Sequence, residues 1–249
     1  MTKLRLPQIT SILLCVAMLL TLPSCNKRDI HQVIREMAEM PVDTAGFKTE
    51  HIETNDFSWV EVDCFAEVIF QQLNAGEASS ITLKSSQEVL DHVKVRVEDG
   101  KLRLSINGRY RMPEKAIVVA EIKAPIVNKF VMNGAKCLKI DTLLLNSPLE
   151  IEMDGVGSLI ANKITSHENK LLLNGDGYAE IKNIETGNLQ IALNGGGGAK
   201  ISGKSKSVVA LLQGCGNMDF SGLISETEIV QTINGDGKIT VPVVKNVNN

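Results

Sequence analysis

The chain is short of aromatic residues, histidine and any excess of positive charge. Aromatics make up 4% of its 249 residues, so Leu, Ile and Val have to supply a core. Lys and Arg total 26 against 29 Asp and Glu, a net charge of −3. Such a balance lacks the basic footprint that nucleic acid demands, so no nucleic-acid partner is expected. It also lacks the polybasic cluster of a membrane-surface module. The four histidines, His31, His51, His92 and His167, do not recur beside a Ser or Cys in a common frame, which removes the usual nucleophile–base pairing. No apolar run reaches the ~20 residues that span a bilayer, and no Cys-x-x-Cys spacing occurs.

What the N-terminus does have is short and ordered. Lys3 and Arg5 precede an apolar run from Ile9 to Leu20, broken only by Thr10 and Ser11. A charged start, a short apolar stretch and a small residue before a cut site describe a secretory signal. Leu22-Pro23-Ser24-Cys25 resembles the lipobox of bacterial lipoproteins, with an aliphatic residue at −3, a small residue at −1 and then the cysteine. That resemblance implies cleavage after Ser24 and lipid on Cys25, giving a membrane partner through the anchor and an outer-membrane or other envelope location. Several acyl chains anchor stably, at about 0.8 kcal/mol per buried methylene, where one chain is marginal. Residues 1–24 are thus expected to be a signal peptide. Their loss removes two cations and no acid, leaving 24 − 29 = −5.

Residues 25–46 read as a tether. Within it Asp29–Met40 is either a short helix, with Ile30, Val33, Ile34 and Met37 on one face, or a flexible spacer. Pro41 would end the helix. Of the five cysteines, Cys15 leaves with the signal, and Cys64, Cys137 and Cys215 remain besides Cys25. An odd count leaves at least one thiol free. The expectation is small buried residues, with a Cys137–Cys215 bridge as the alternative.

From Phe57 the hydrophobic period is two. Val60, Val62, Cys64, Ala66, Val68 and Phe70 alternate with mostly polar residues, the mark of a half-buried strand. Ile81–Lys84 and Ala116–Ile122 are further strands, and Ser86–His92 suits one or two helical turns. Val93–Ile106 reads as a hairpin turning at Asp99-Gly100, since Asp-Gly tolerates the positive φ of a type I′ turn.

The second half repeats. Asn133-Gly134, Asp154-Gly155, Asn174-Gly175, Asn194-Gly195, Gln213-Gly214 and Asn234-Gly235 recur at steps of 21, 20, 20, 19 and 21. An apolar residue precedes each: Met132, Met153, Leu173, Leu193, Leu212 and Ile233. A second glycine follows in five of the six, Lys136 taking its place in the first. Each unit is strand, N-G-x-G turn, strand and polar turn. A period near 20 marks a solenoid, because one such unit cannot bury its own apolar face and neighbours must stack. Stacking at ~4.8 Å would align the Asn/Asp/Gln side chains in a hydrogen-bonded column. The rival is an antiparallel meander with the N-G-x-G hairpins on one edge. The solenoid is preferred because the apolar columns keep register over six units.

Over roughly Phe57 to Val241, the Val60–Phe70 strand, the Val95–Leu104 hairpin and the N-G-x-G coils resemble the auto-transporter adhesin head domains of the GIN type. That resemblance implies a right-handed parallel β-helix. The expected architecture is therefore all-β, with a strand-rich N-terminal layer leading into about six coils and residues 47–245 as the domain.

Little catalytic chemistry is legible. Asp176 and Asp236 lie inside turns, two positions of a column that otherwise holds Ala135, Val156, Gly196 and Cys215. They are three coils apart, too far to share an ion, and turn chemistry accounts for them. No metal and no cofactor is expected. Glu150, Glu152, Asp154, Asp176, Glu180 and Asp219 scatter over different columns, whereas polysaccharide cleavage needs two carboxylates flanking one bond. N-G-x-G is not a phosphate loop, having no Lys-Ser/Thr after it. Trp59 and Phe57 are expected to pack over the first layer, with an aromatic sugar platform as the minor alternative. The sequence points to a non-catalytic envelope lipoprotein that offers its solenoid to a protein or glycan ligand. A periplasmic structural role comes second and a polysaccharide-acting enzyme third.

Overall fold

The computed structural model describes residue 36 and residues 39–242. The signal segment, Cys25 and most of the expected Asp29–Met40 helix lie outside these.

Period-two alternation becomes strand throughout. In order these are β1 (Lys48–Glu53), β2 (Trp59–Asp63), β3 (Ala66–Gln72), β4 (Ser80–Ser85), α1 (Gln87–Leu90), β5 (Val93–Glu98), β6 (Lys101–Ile106), β7 (Val118–Ala124), β8 (Lys129–Asn133) and β9 (Cys137–Leu144). The coils follow as β10 (Leu149–Gly155), β11 (Ser158–Gly175), β12 (Tyr178–Asn194), β13 (Gly198–Gln213), β14 (Asn217–Asp219), β15 (Leu223–Ser225), β16 (Val230–Asn234) and β17 (Lys238–Thr240). Pairing along the coils is parallel, so the chain is a β-solenoid and the meander is excluded.

Two faces result. Face A carries the strands that lead into the N-G turns, and face B those that leave them. On face A, Met132, Met153, Leu173, Leu193, Leu212 and Ile233 are register partners in one column. On face B, Leu138, Leu159, Ala179, Ala199, Met218 and Ile239 form the matching column. All are buried except Ile233, which is 42% exposed, since among the described residues no strand lies on its outer side. The opposite turn is held by hydroxyls in register. Ser166, Thr186 and Ser205 each donate to the carbonyl two residues ahead, at 3.1, 3.1 and 2.6 Å. The 19-residue step is absorbed by a register shift at Gly203, whose φ of +125° few other residues tolerate.

The N-terminal part is not a simple lead-in. β2 is parallel to both β6 and β8, and β3 to both β7 and β9. The chain therefore lays down the β2–β3 layer first, moves outward to build β6–β7 beneath it, then returns to place β8–β9 on top. Val60–Phe70, expected as one strand, breaks at Cys64-Phe65, where the coil turns. Its alternation survives the corner, with Val60, Val62, Cys64, Ala66, Val68 and Phe70 all facing the core. Antiparallel strands then close this end: β4 on β7, β1 on β4 and β5 on β6. The β5–β6 turn has φ of 51° at Asp99 and 71° at Gly100, as the Asp-Gly pair predicts. Ser86 caps α1 by accepting from the Val89 amide.

Candidate binding surface

The N-G turns place a column of side chains along one ridge, and these hydrogen-bond between coils. Asn174 Nδ2 donates to Asp154 Oδ1 at 2.7 Å, and Asn194 Nδ2 to Asn174 Oδ1 at 2.8 Å. Each amide points back to the preceding layer. The same column has a separate rung one layer earlier than the repeat suggests, where Asn133 Nδ2 donates to Asp63 Oδ1 at 2.5 Å. The signal for that rung was present: Val62-Asp63 mirrors Met132-Asn133, but Cys64 stands where glycine marks the later turns. The ladder stops at Asn194, whose Oδ1 has no partner. The next rung is Gln213, one methylene longer.

Glycine repeats at the turns because the layers approach too closely for a side chain. A Cβ on Gly195 would fall under 3.0 Å from the Gly175 carbonyl. Lys136 is accommodated in the first coil because the layer beneath is built differently. Its Nζ reaches Glu67 Oε2 at 3.0 Å and the Met40 carbonyl at 3.2 Å. Glu67 also takes Lys139 at 2.9 Å, so this nearly buried carboxylate is held by two cations, as burial of a charge requires.

The outer side of face A is charged at the N-terminal end. Glu61 pairs with Lys101 and Arg103, and Arg103 also meets Asp63. Burial pushes the Asp63 carboxyl up, but hydrogen bonds from Asn133 and Arg103 outweigh it and hold the group below its usual value. Trp59 lies between Lys101 and Lys129, whose Nζ atoms are 4.1 and 4.6 Å from the ring, a cation–π arrangement. Phe57 is buried. Phe57 thus packs in the core, whereas Trp59 is half-buried on the outer side with two ammonium groups against its ring. Further along, face A turns uncharged, with Leu172, Ala192 and Leu211 half-buried in one outward column.

Face B carries an open groove of about 660 Å³. Ile69 and Ile160 line it with Gln71, Lys139, Asp141, Asn162 and Lys182. Its polar groups are linked: Lys182 donates to Asn162 at 3.0 Å, and Asn162 to Asp141 at 2.7 Å. A second hollow, of about 420 Å³, lies where face A begins and contains Glu150 and Glu168. Hydrogen bonding from Lys170, with Lys129 nearby, holds Glu150 below its usual value, the opposite of what a general acid needs.

The remaining acids singled out in the sequence stay apart. Asp154 serves the ladder, Asp176 Oδ1 accepts from the Gly196 amide at 3.0 Å, and Asp219 from the Ser221 amide at 2.9 Å. Among the described residues no group of three His, Cys, Asp or Glu is placed to hold a metal ion. Cys64, Cys137 and Cys215 are all unpaired. The expectation of three buried thiols needs correcting: Cys64 and Cys137 are buried, with pKa values pushed up to about 12 by desolvation, but Cys215 is exposed at a turn tip.

Taken together, these features define a β-solenoid scaffold whose polar groups are spent largely on joining one layer to the next. Residues 56–249 match the family described as "Putative auto-transporter adhesin, head GIN domain", and the chain belongs to that family. Among solved structures it is similar to a putative adhesin from Bacteroides fragilis, at 17% identity and a TM-score of 0.63, covering 78% of this chain and 96% of that one. It is similar as well to a putative lipid binding protein from Parabacteroides distasonis, at 14% identity and a TM-score of 0.62, with the same coverage. At these identities the likeness speaks to the fold. No curated protein matches the chain.

Proposed function

We propose that the protein is an envelope lipoprotein, anchored through Cys25, that displays a non-catalytic β-solenoid for adhesion or ligand binding. The observation that carries this reading is the stack itself. Eight parallel layers, with one register shift at Gly203, give two long faces, and many of their charged side chains pair with neighbouring layers. A rigid surface of that kind suits contact with a protein or glycan better than turnover of a substrate. The groove on face B, with aliphatic walls and a Lys182–Asn162–Asp141 chain, offers amide, carboxylate and ammonium groups to such a ligand.

The anchor has a direct test. Cys25→Ala is expected to move the protein from the membrane pellet to the soluble fraction, and retention in the pellet refutes lipidation. Display is tested by protease treatment of intact cells. Cleavage of the body supports the adhesin reading, and a body left uncut refutes it in favour of a periplasmic structural role. That second reading has its own support in Asn26-Lys27-Arg28, a basic start where surface-exported lipoproteins tend to be acidic.

A further inference from the structure

The two ends of the stack differ in a way the adhesin reading does not use. At the N-terminal end the outermost strands are β1 and β5, both antiparallel to the strand they cover. Their sequences, Lys-Thr-Glu-His-Ile-Glu and Val-Lys-Val-Arg-Val-Glu, put charges along the free edges. Edge charge of this sort blocks pairing with a further strand. At the C-terminal end, β16 pairs only with β13 and β17 only with β14 among the described residues. β16 reads Val-Gln-Thr-Ile-Asn and all five residues are exposed. No charged residue occurs from Ile229 to Gly235. Four large exposed apolar side chains gather on the last two coils: Val209 at 49%, Ile224 at 64%, Val230 at 60% and Ile233 at 42%.

The outer edge of β16 is one half of the contact that every earlier coil makes with the next. Among the described residues no strand pairs with this edge, and Ile233 continues the inward column of Leu212. What fits it is an uncharged strand edge. The charged edges of β1 and β5 do not meet that description, so head-to-tail growth is blocked. A second β16 does meet it. Two copies running antiparallel about Thr232 place Gln231 opposite Ile233 of the other copy, both on the inward side, and bring no like charges together. Because the contact is the same patch on both chains, it closes at two.

We infer that the C-terminal end is a self-association surface, through which two copies of this chain join end to end by antiparallel pairing of β16. The pairing is independent of what the faces bind. The test uses the full chain in intact cells, in a Cys215→Ser background to remove the exposed native thiol. Thr232→Cys is expected to give a disulfide-linked dimer on non-reducing gels, while Thr49→Cys on the sealed end gives none. Purified full chain in detergent should sediment as a dimer of bodies, and Thr232→Lys should abolish that dimer while leaving the circular dichroism spectrum unchanged. A monomeric wild-type body with no Thr232→Cys cross-link overturns the inference. So does a ladder of higher species, which would mean open-ended stacking. Cross-linking that emerges only after truncation at Pro242 also overturns it, since residues 243–249 would then be the native occupant of the edge.

Discussion

The middle of the stack and its C-terminal end are built from the same repeat, yet they stand in different surroundings. Leu193 and Ile233 occupy one column, one coil apart from Leu212 on either side. Leu193 is fully buried between two layers, and Ile233 has a neighbour on one side only among the described residues. In a solenoid, stability is roughly the sum of each coil and its contacts with adjacent coils. Position in the stack, more than residue type, therefore sets what a side chain contributes.

The sharpest way to break that comparison is at glycine. Gly195→Ala must force a Cβ against the Gly175 carbonyl at a φ of +141°, and strain plus displacement should cost about 3 kcal/mol or more. Gly134→Ala, at a φ of +74° with nothing within 4 Å, should cost only about 1 kcal/mol. Urea denaturation of the two variants checks this, and equal losses would show that the turns are not tightly stacked. A second pair tests the core column. Leu193→Ala should cost about 2–5 kcal/mol. Ile233→Ala should cost under about 1 kcal/mol, because much of its surface is already in water.

A smaller effect of opposite sign is expected inside the middle coils. Asn169 is buried among Leu149 and Leu189 in its column, and neither of its side-chain polar atoms has a partner. Asn169→Leu should therefore stabilise the protein by about 1–2 kcal/mol, read as a raised Tm. The comparison also has a pH arm. Asp63 and Glu150 have lowered pKa values in the folded state, so the stability they add is present above the ordinary carboxylate range. It is lost as pH falls through the folded values. Asp63→Asn should flatten the acid side of the stability profile, whereas Asn194→Ala, on a rung without a carboxylate, should leave its shape unchanged. The mildest probe is chemical: a native thiol reagent should label Cys215 quickly and spare Cys64 and Cys137.

Much of this was legible in the residues. Six N-G turns at near-equal steps, with an apolar residue before each, define the coil length and both inward columns. The hairpin at Asp99-Gly100 and the α1 turn capped by Ser86 were equally local signals. What escaped was non-local. Ile106-Asn107-Gly108 has the form of the later turns, but Tyr110 stands where the second glycine belongs and the next strand starts only at Val118, so β6–β7 does not announce itself as a layer lying beneath β2–β3. The inward-facing Asn169 has the composition of a surface residue, and its burial follows from its place beside Leu149. Cys215 has the composition of a core residue, and only the turn position exposes it. Lys136 was recognisable as a departure, but its acceptor, Glu67, lies 69 residues away.

The central claim is a stack sealed at one end and open at the other. Hydrogen exchange of the full chain, followed strand by strand at low and high protein concentration, tests it most directly. The account predicts slow exchange in β6, β7 and β10–β13 at both concentrations. It predicts fast exchange in β16 when dilute, slowing as the concentration rises. β16 amides as slow as those of β10 in dilute protein, or β6 amides as fast as those of β16, would contradict it.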